Sequence, residues 1–99
     1  MTKLRINPLV AADLKNIKVF IAEDNPDMAI KTIQEIYSQF ENIQQFPGLG
    51  TDLQKRVSFK TPYKYFVCNN YVILYKVGKE YVEIYRIVNR FQDITRLFE

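Results

Sequence analysis

Ninety-nine residues, 47% hydrophobic and 25% charged, have the size and composition of one ordinary globular domain. Such a chain buries roughly two-thirds of the surface it exposes when unfolded, so disordered and collagen-like classes are excluded. No apolar run approaches the roughly 20 residues needed to cross a bilayer, and the start MTKLRINPLV lacks the apolar core of a signal peptide. The expectation is a single domain over residues 1–99, working in the cytoplasm with no membrane partner.

Cys68 is the only cysteine and there is no histidine. One thiol forms no internal disulfide and no cysteine-based metal site, and it reads as a small strand residue. Without histidine, acid/base chemistry near neutral pH falls to Lys, Glu, Asp or Tyr. No metal or other cofactor is expected. The net charge of +3 is uneven: residues 1–52 carry five Lys/Arg against seven Asp/Glu, a balance of −2, and residues 53–99 carry nine against four, a balance of +5. A polyanion or an acidic protein is attracted to the second half; the plainer reading is a charged surface that keeps the protein soluble.

Leu4-Arg5-Ile6 alternates like a short edge strand. Asn7-Pro8 is a helix start, since Asn accepts from a free backbone N–H and Pro lacks the donor that would go unpaired. Val10, Leu14, Ile17 and Ile21 then form one apolar stripe, ending near Ala22. Asn25-Pro26 repeats the signal, followed by the stripe Ala29, Ile33, Ile36, Phe40 and Ile43, and Pro47-Gly48-Leu49-Gly50 ends the second helix. Two amphipathic helices with a short joint form a hairpin that must cover something else. Asp52 to Thr61, with Lys55, Arg56 and Lys60 among Leu53, Val57 and Phe59, is compatible with loop, helical turn or strand.

From Tyr63 the period becomes two. Lys64, Phe66 and Cys68 point one way, and Tyr63, Tyr65 and Val67 the other. Asn69-Asn70 reads as a tight turn, because Asn tolerates left-handed backbone angles. Tyr71–Val77 follows, then a turn at Gly78-Lys79 and an antiparallel return over Tyr81–Val88. Either Val72 and Leu74, or Tyr71, Ile73 and Tyr75, face the helices. Arg86 shares a face with Val82, Ile84 and Val88, so a bulge turns it outward or it is buried with an acidic partner. Phe91, Leu97 and Phe98 are expected to pack a closing helical turn. The fold class is therefore α+β, with an N-terminal helical hairpin on one face of a small antiparallel sheet in β-α-α-β-β-β order. The other face is expected to lie open as a concave cationic surface.

Ala12-Asp13-Leu14-x-x-Ile17, Asn25-Pro26-x-x-Ala29, Pro47-Gly48-x-Gly50, Tyr71-Val-Ile-Leu-Tyr75, Val82-x-Ile84-x-Arg86-Ile87 and Asp93-Ile94, in this order, resemble the RelE/ParE superfamily of bacterial toxins over nearly the whole chain. The resemblance implies the toxin of a type II toxin–antitoxin module, arresting growth when free and silenced by a cognate antitoxin protein lying along the helices and sheet. It implies either ribosome-dependent mRNA cleavage or inhibition of DNA gyrase; a module that binds without poisoning is the alternative. Asn89 stands where ParE-like members commonly carry His, and Gln92 where they commonly carry Arg.

RNA cleavage needs a base, cations around the phosphate and an acid. The base would be Glu83 or Lys64, and Arg86 and Arg90 would clamp phosphate through paired guanidinium donors. Tyr65, Tyr81 and Tyr85 offer rings for stacking on unpaired bases, and Lys55, Arg56 and Asn89 complete the candidate target-binding set. Each has a plainer reading: tyrosines filling a half-buried sheet, Glu83 opposite a lysine, Arg86 in an ion pair with a helix carboxylate, Lys64 and Arg90 as solvated rim charges, Asn89 turning the strand end.

Overall fold

A computed structural model describes residues 2–92 and 94–98 of the chain, without the side chains of Thr95 and Phe98. Asp93 and the packing expected of Phe98 lie outside the described residues. The elements are β1 (Lys3–Ile6), α1 (Pro8–Ala22), α2 (Pro26–Gln45), β2 (Thr51–Asp52), β3 (Tyr63–Cys68), β4 (Tyr71–Val77) and β5 (Tyr81–Asn89). Short 3-10 turns occupy Pro47–Leu49, Leu53–Lys55 and Ile94–Phe98. The order is the expected one with a two-residue strand added at Thr51–Asp52, where the stretch whose type was open begins.

Both helices start as their residues dictate. Asn7 Oδ1 accepts from the Leu9 N–H at 2.9 Å and Asn25 Oδ1 from the Met28 N–H at 3.1 Å, with Pro8 and Pro26 next in line. The sheet runs β1-β5-β4-β3-β2. β1 pairs parallel to β5, because the helical hairpin carries the chain over the sheet before the meander begins; the other pairings are antiparallel. Asn69 adopts φ 57°, the left-handed angle its turn requires.

The helix-facing alternative realised in β4 is Tyr71, Ile73 and Tyr75. With Val82, Ile84 and Ile87 of β5 and Phe66 and Cys68 of β3, they meet Val10, Leu14 and Ile17 of α1 and Ile36, Phe40 and Ile43 of α2. Buried Tyr75 is held by two polar contacts: its hydroxyl donates to the Pro47 carbonyl at 2.8 Å and accepts from the Gly50 N–H at 2.7 Å. A Cβ on residue 50 would stand 2.6 Å from that hydroxyl, so this close approach needs glycine.

The opposite face is not left open. Leu53, Val72, Leu74 and Val88 form a second, smaller core, with Val57, Tyr63, Tyr65, Tyr85, Ile94 and Leu97 packed around it. The reason lies in segments that carry no sheet hydrogen bonds of their own: the 3-10 turns at Leu53–Lys55 and Ile94–Phe98 fold over the face and bury apolar side chains there. Phe91 departs from the expected packing. Its N–H is held by Asn89 Oδ1 at 2.9 Å, which turns the chain and leaves the ring 81% exposed.

Candidate functional site

The placement of β5 residues is decided by one extra residue. Opposite β4, Leu74 pairs with Arg86 and Tyr75 with Ile84, so Tyr85 is the extra residue of a β-bulge that shifts the register. The face expected to hold Val82, Ile84, Arg86 and Val88 together is thereby split. Val82, Ile84 and Ile87 enter the helix-side core, while Val88 joins the smaller one.

Arg86 also acquires an acidic partner, so both expected outcomes occur together. β1 pairs with β5 only as far as Ile84, leaving the outer edge of β5 beyond it without a strand. Asp13 of α1 fills that edge. Its Oδ2 accepts from the Ile87 N–H at 3.0 Å and from Arg86 Nε at 2.8 Å, and its Oδ1 accepts from Arg86 Nη2 at 2.9 Å. The carboxylate is buried, and it holds the Arg86 guanidinium above its ordinary pKa against the opposing effect of burial. Sequence reasoning had not assigned this partner. The signal was present, for Asp13 lies on the apolar stripe of α1 between Val10 and Leu14, and an acid on a buried stripe calls for a cation elsewhere.

The other candidates are distributed over the molecule. Lys64 points to the helix side at the β2 edge, where Nζ meets Asp52 Oδ1 at 2.6 Å. That ammonium, by hydrogen bond and then by charge, holds exposed Asp52 below its usual value. Glu83 lies on the other face, opposite Lys76 in register. It belongs to a group of tyrosines in which Tyr63 and Tyr85 stack at 4.9 Å. Burial first, and then Tyr85 and Glu83, raise the Tyr63 pKa. Tyr81 lies under the Arg5 guanidinium at 4.1 Å, and Lys76 sits 5.9 Å from the Tyr63 ring centre.

Arg56 covers the Tyr65 ring at 5.5 Å, and Arg90 reaches the Asn69 carbonyl at 3.4 Å. Between these two arginines lies a hollow of ≈ 330 Å³ floored by Val67, Val72 and Ile94, with no carboxylate in its lining among the described residues. Lys55 is exposed on the adjoining turn. Asn89 closes β5, its side chain holding Phe91 N–H and its carbonyl accepting from Gln92 N–H at 3.0 Å. Among the described residues, no cluster of His, Cys, Asp and Glu could hold a metal, and no helix is long and apolar enough to cross a membrane.

A helical hairpin on a five-stranded sheet, closed at the β5 edge by a carboxylate from α1, defines a small α+β protein of the RelE/ParE toxin superfamily. A family model for the ParE toxin of the type II toxin–antitoxin system parDE matches residues 4–94, and the chain belongs to that family. A chain from the chromosomal ParDE toxin–antitoxin system of P. aeruginosa superposes with TM-score 0.73 at 23% identity, over 90% of this chain and 96% of that one. A YafQ mutant from E. coli superposes with TM-score 0.51 at 12% identity over the whole of both chains. No curated protein matches the sequence. The protein is a type II toxin.

Proposed function

We propose that this toxin arrests growth by binding a target, with DNA gyrase as that target, and that a cognate antitoxin protein silences it in the cytoplasm as a single-domain partner. The observation that carries this reading is the dispersal of the groups an RNA-cleaving centre requires. Lys64 and Glu83 lie on opposite faces of the sheet, and Lys64 is engaged by Asp52. Arg86 spends two of its donors on Asp13, and Arg90 sits at the far end of β5. A base, a phosphate clamp and an acid must converge within hydrogen-bond reach of one reacting group, and here they do not.

The second reading, ribosome-dependent mRNA cleavage, is favoured by the Arg56–Arg90 hollow and the tyrosines, which suit unpaired nucleotides. Controlled induction in a bacterial host separates the two. Binding to gyrase gives a DNA-damage response with intact transcripts, and Lys64→Ala and Glu83→Gln retain growth arrest. Codon-linked transcript ends that disappear in either variant overturn the proposal in favour of cleavage. Co-expression of the protein encoded by a neighbouring small gene tests the antitoxin: restored growth and co-purification are expected, and neither occurs if that partner is wrong.

A further inference from the structure

Two dissimilar surfaces border the same end of the molecule. One is the tip of the helical hairpin, where Glu23, Asp24 and Asp27 are exposed and make no ion pair among the described residues. Phe20 and Met28 flank this tip at 71% and 45% exposure, beside a groove that reaches the Asn69-Asn70 turn. The other surface is the Arg56–Arg90 hollow on the opposite side of the sheet. It reaches the same turn, because the Arg90 N–H donates to the Asn70 carbonyl and its guanidinium to that of Asn69. Val67 and Phe91 rim this side at 43% and 81% exposure. From Leu53 to Lys79 the chain has six Lys/Arg and no Asp or Glu, so this stretch brings only positive charge to the hollow.

Four large apolar groups exposed about one turn are a concentration that water disfavours, and such patches mark interaction sites. The two halves of this patch carry opposite charge. A two-fold axis near the Asn69-Asn70 turn sets the acidic tip of one copy against the cationic hollow of the other, and the same operation makes the reciprocal contact, which is the closed arrangement symmetric dimers adopt. We propose that the free protein associates with a second copy of itself end to end, each copy seating Glu23, Asp24, Phe20 and Met28 against the Arg56, Arg90 and Val67 hollow of the other. The hollow is thereby covered in the dimer and uncovered in the monomer. This association is independent of whether the toxin binds gyrase or cuts RNA.

Sedimentation equilibrium of the full chain over a range of concentrations, at low and high salt, is the test. The wild type is expected to dimerise, more weakly as salt rises. Glu23→Lys with Asp24→Lys, and separately Arg56→Glu with Arg90→Glu, each weaken dimerisation at least about tenfold by placing like charges together. Mixing the two variants restores a one-to-one dimer, since each tip then meets a hollow of opposite sign. Circular dichroism checks that both variants fold; should the arginine pair fail to, Phe20→Ser takes its place and weakens the dimer without touching the hollow. A wild type that stays monomeric, variants that dimerise as well as the wild type, or variants that fail to pair with each other overturn the proposal. So does a hollow that, in the wild type, binds a single-stranded oligonucleotide without dissociating a dimer.

Discussion

On the helix side of the sheet, β3, β4 and β5 bury an apolar face against ten turns' worth of amphipathic helix; on the other side, the same strands are covered by two 3-10 turns and a few half-buried tyrosines. The first face is closed by elements whose own hydrogen bonds are complete and whose stripes match the pleat. The second is closed by short segments at its margins, leaving a hollow between them. Strands buried on both faces lose the simple alternation of apolar and polar residues, which is why Val72, Ile73, Leu74 and Tyr75 are buried in succession. The comparison teaches that the hollow on this face is a remainder: the area that the short segments do not reach.

Deleting a large side chain from the helix side tests the contrast most severely. Phe40→Ala is expected to cost about 4 kcal/mol in urea or thermal unfolding, because the ring is fully buried between helix and sheet. Asp13→Ala, at the seam between α1 and β5, is expected to cost about 3 kcal/mol by leaving the Arg86 guanidinium and the Ile87 N–H without their acceptor. If unfolding measurements show no loss there, the carboxylate is not what closes the β5 edge. Tyr75→Phe keeps the packing and removes only the hydroxyl shared by Pro47 and Gly50; about 2 kcal/mol is expected, with faster amide exchange at Gly50.

On the second face the same measurement gives smaller numbers. Val57→Ala is expected to cost about 1 kcal/mol, since the side chain is only half-buried at the margin of the smaller core. A loss equal to that of Phe40→Ala would erase the distinction between the faces. The smallest effect concerns Asp52. Lys64 depresses its folded pKa below the ordinary 3.8, so the pair contributes stability above that value and loses it as pH falls through the lower folded value. Asp52→Asn should therefore flatten the acid limb of the stability curve by slightly lowering stability at neutral pH while leaving it unchanged in strong acid, where Asp52 is already protonated, and an unaltered limb removes the pair from the account.

Much of the fold was legible because it depends on local pattern. Asn-Pro twice before apolar stripes located α1 and α2, and the alternation after Tyr63 with Asn69-Asn70 located the meander. The site was legible only in part. Arg86 was conspicuous in an apolar strand, but its partner Asp13 lies 73 residues away, and sequence spacing carries no information about which helix residue reaches an unpaired edge. Lys64 and Glu83 were alternatives for the base, and the strand register puts them on opposite faces of the sheet. The expectation of an open face failed for a similar reason: Leu53 and Ile94 sit in stretches without periodicity, and their apolar character becomes a cover only when the turns bring them over Val72 and Leu74.

By itself the sequence determined the two helices and the strands β1, β3, β4 and β5, their order, the helix stripes and the basic second half, because caps, turns and periodicity act between residues close in the chain. Tertiary structure alone decided the bulge at Tyr85, the face to which each later β5 residue turns, the Asp13–Arg86 seam and the hollow left beside it. A single inserted residue reverses the parity of everything after it, and no local preference records where that residue falls.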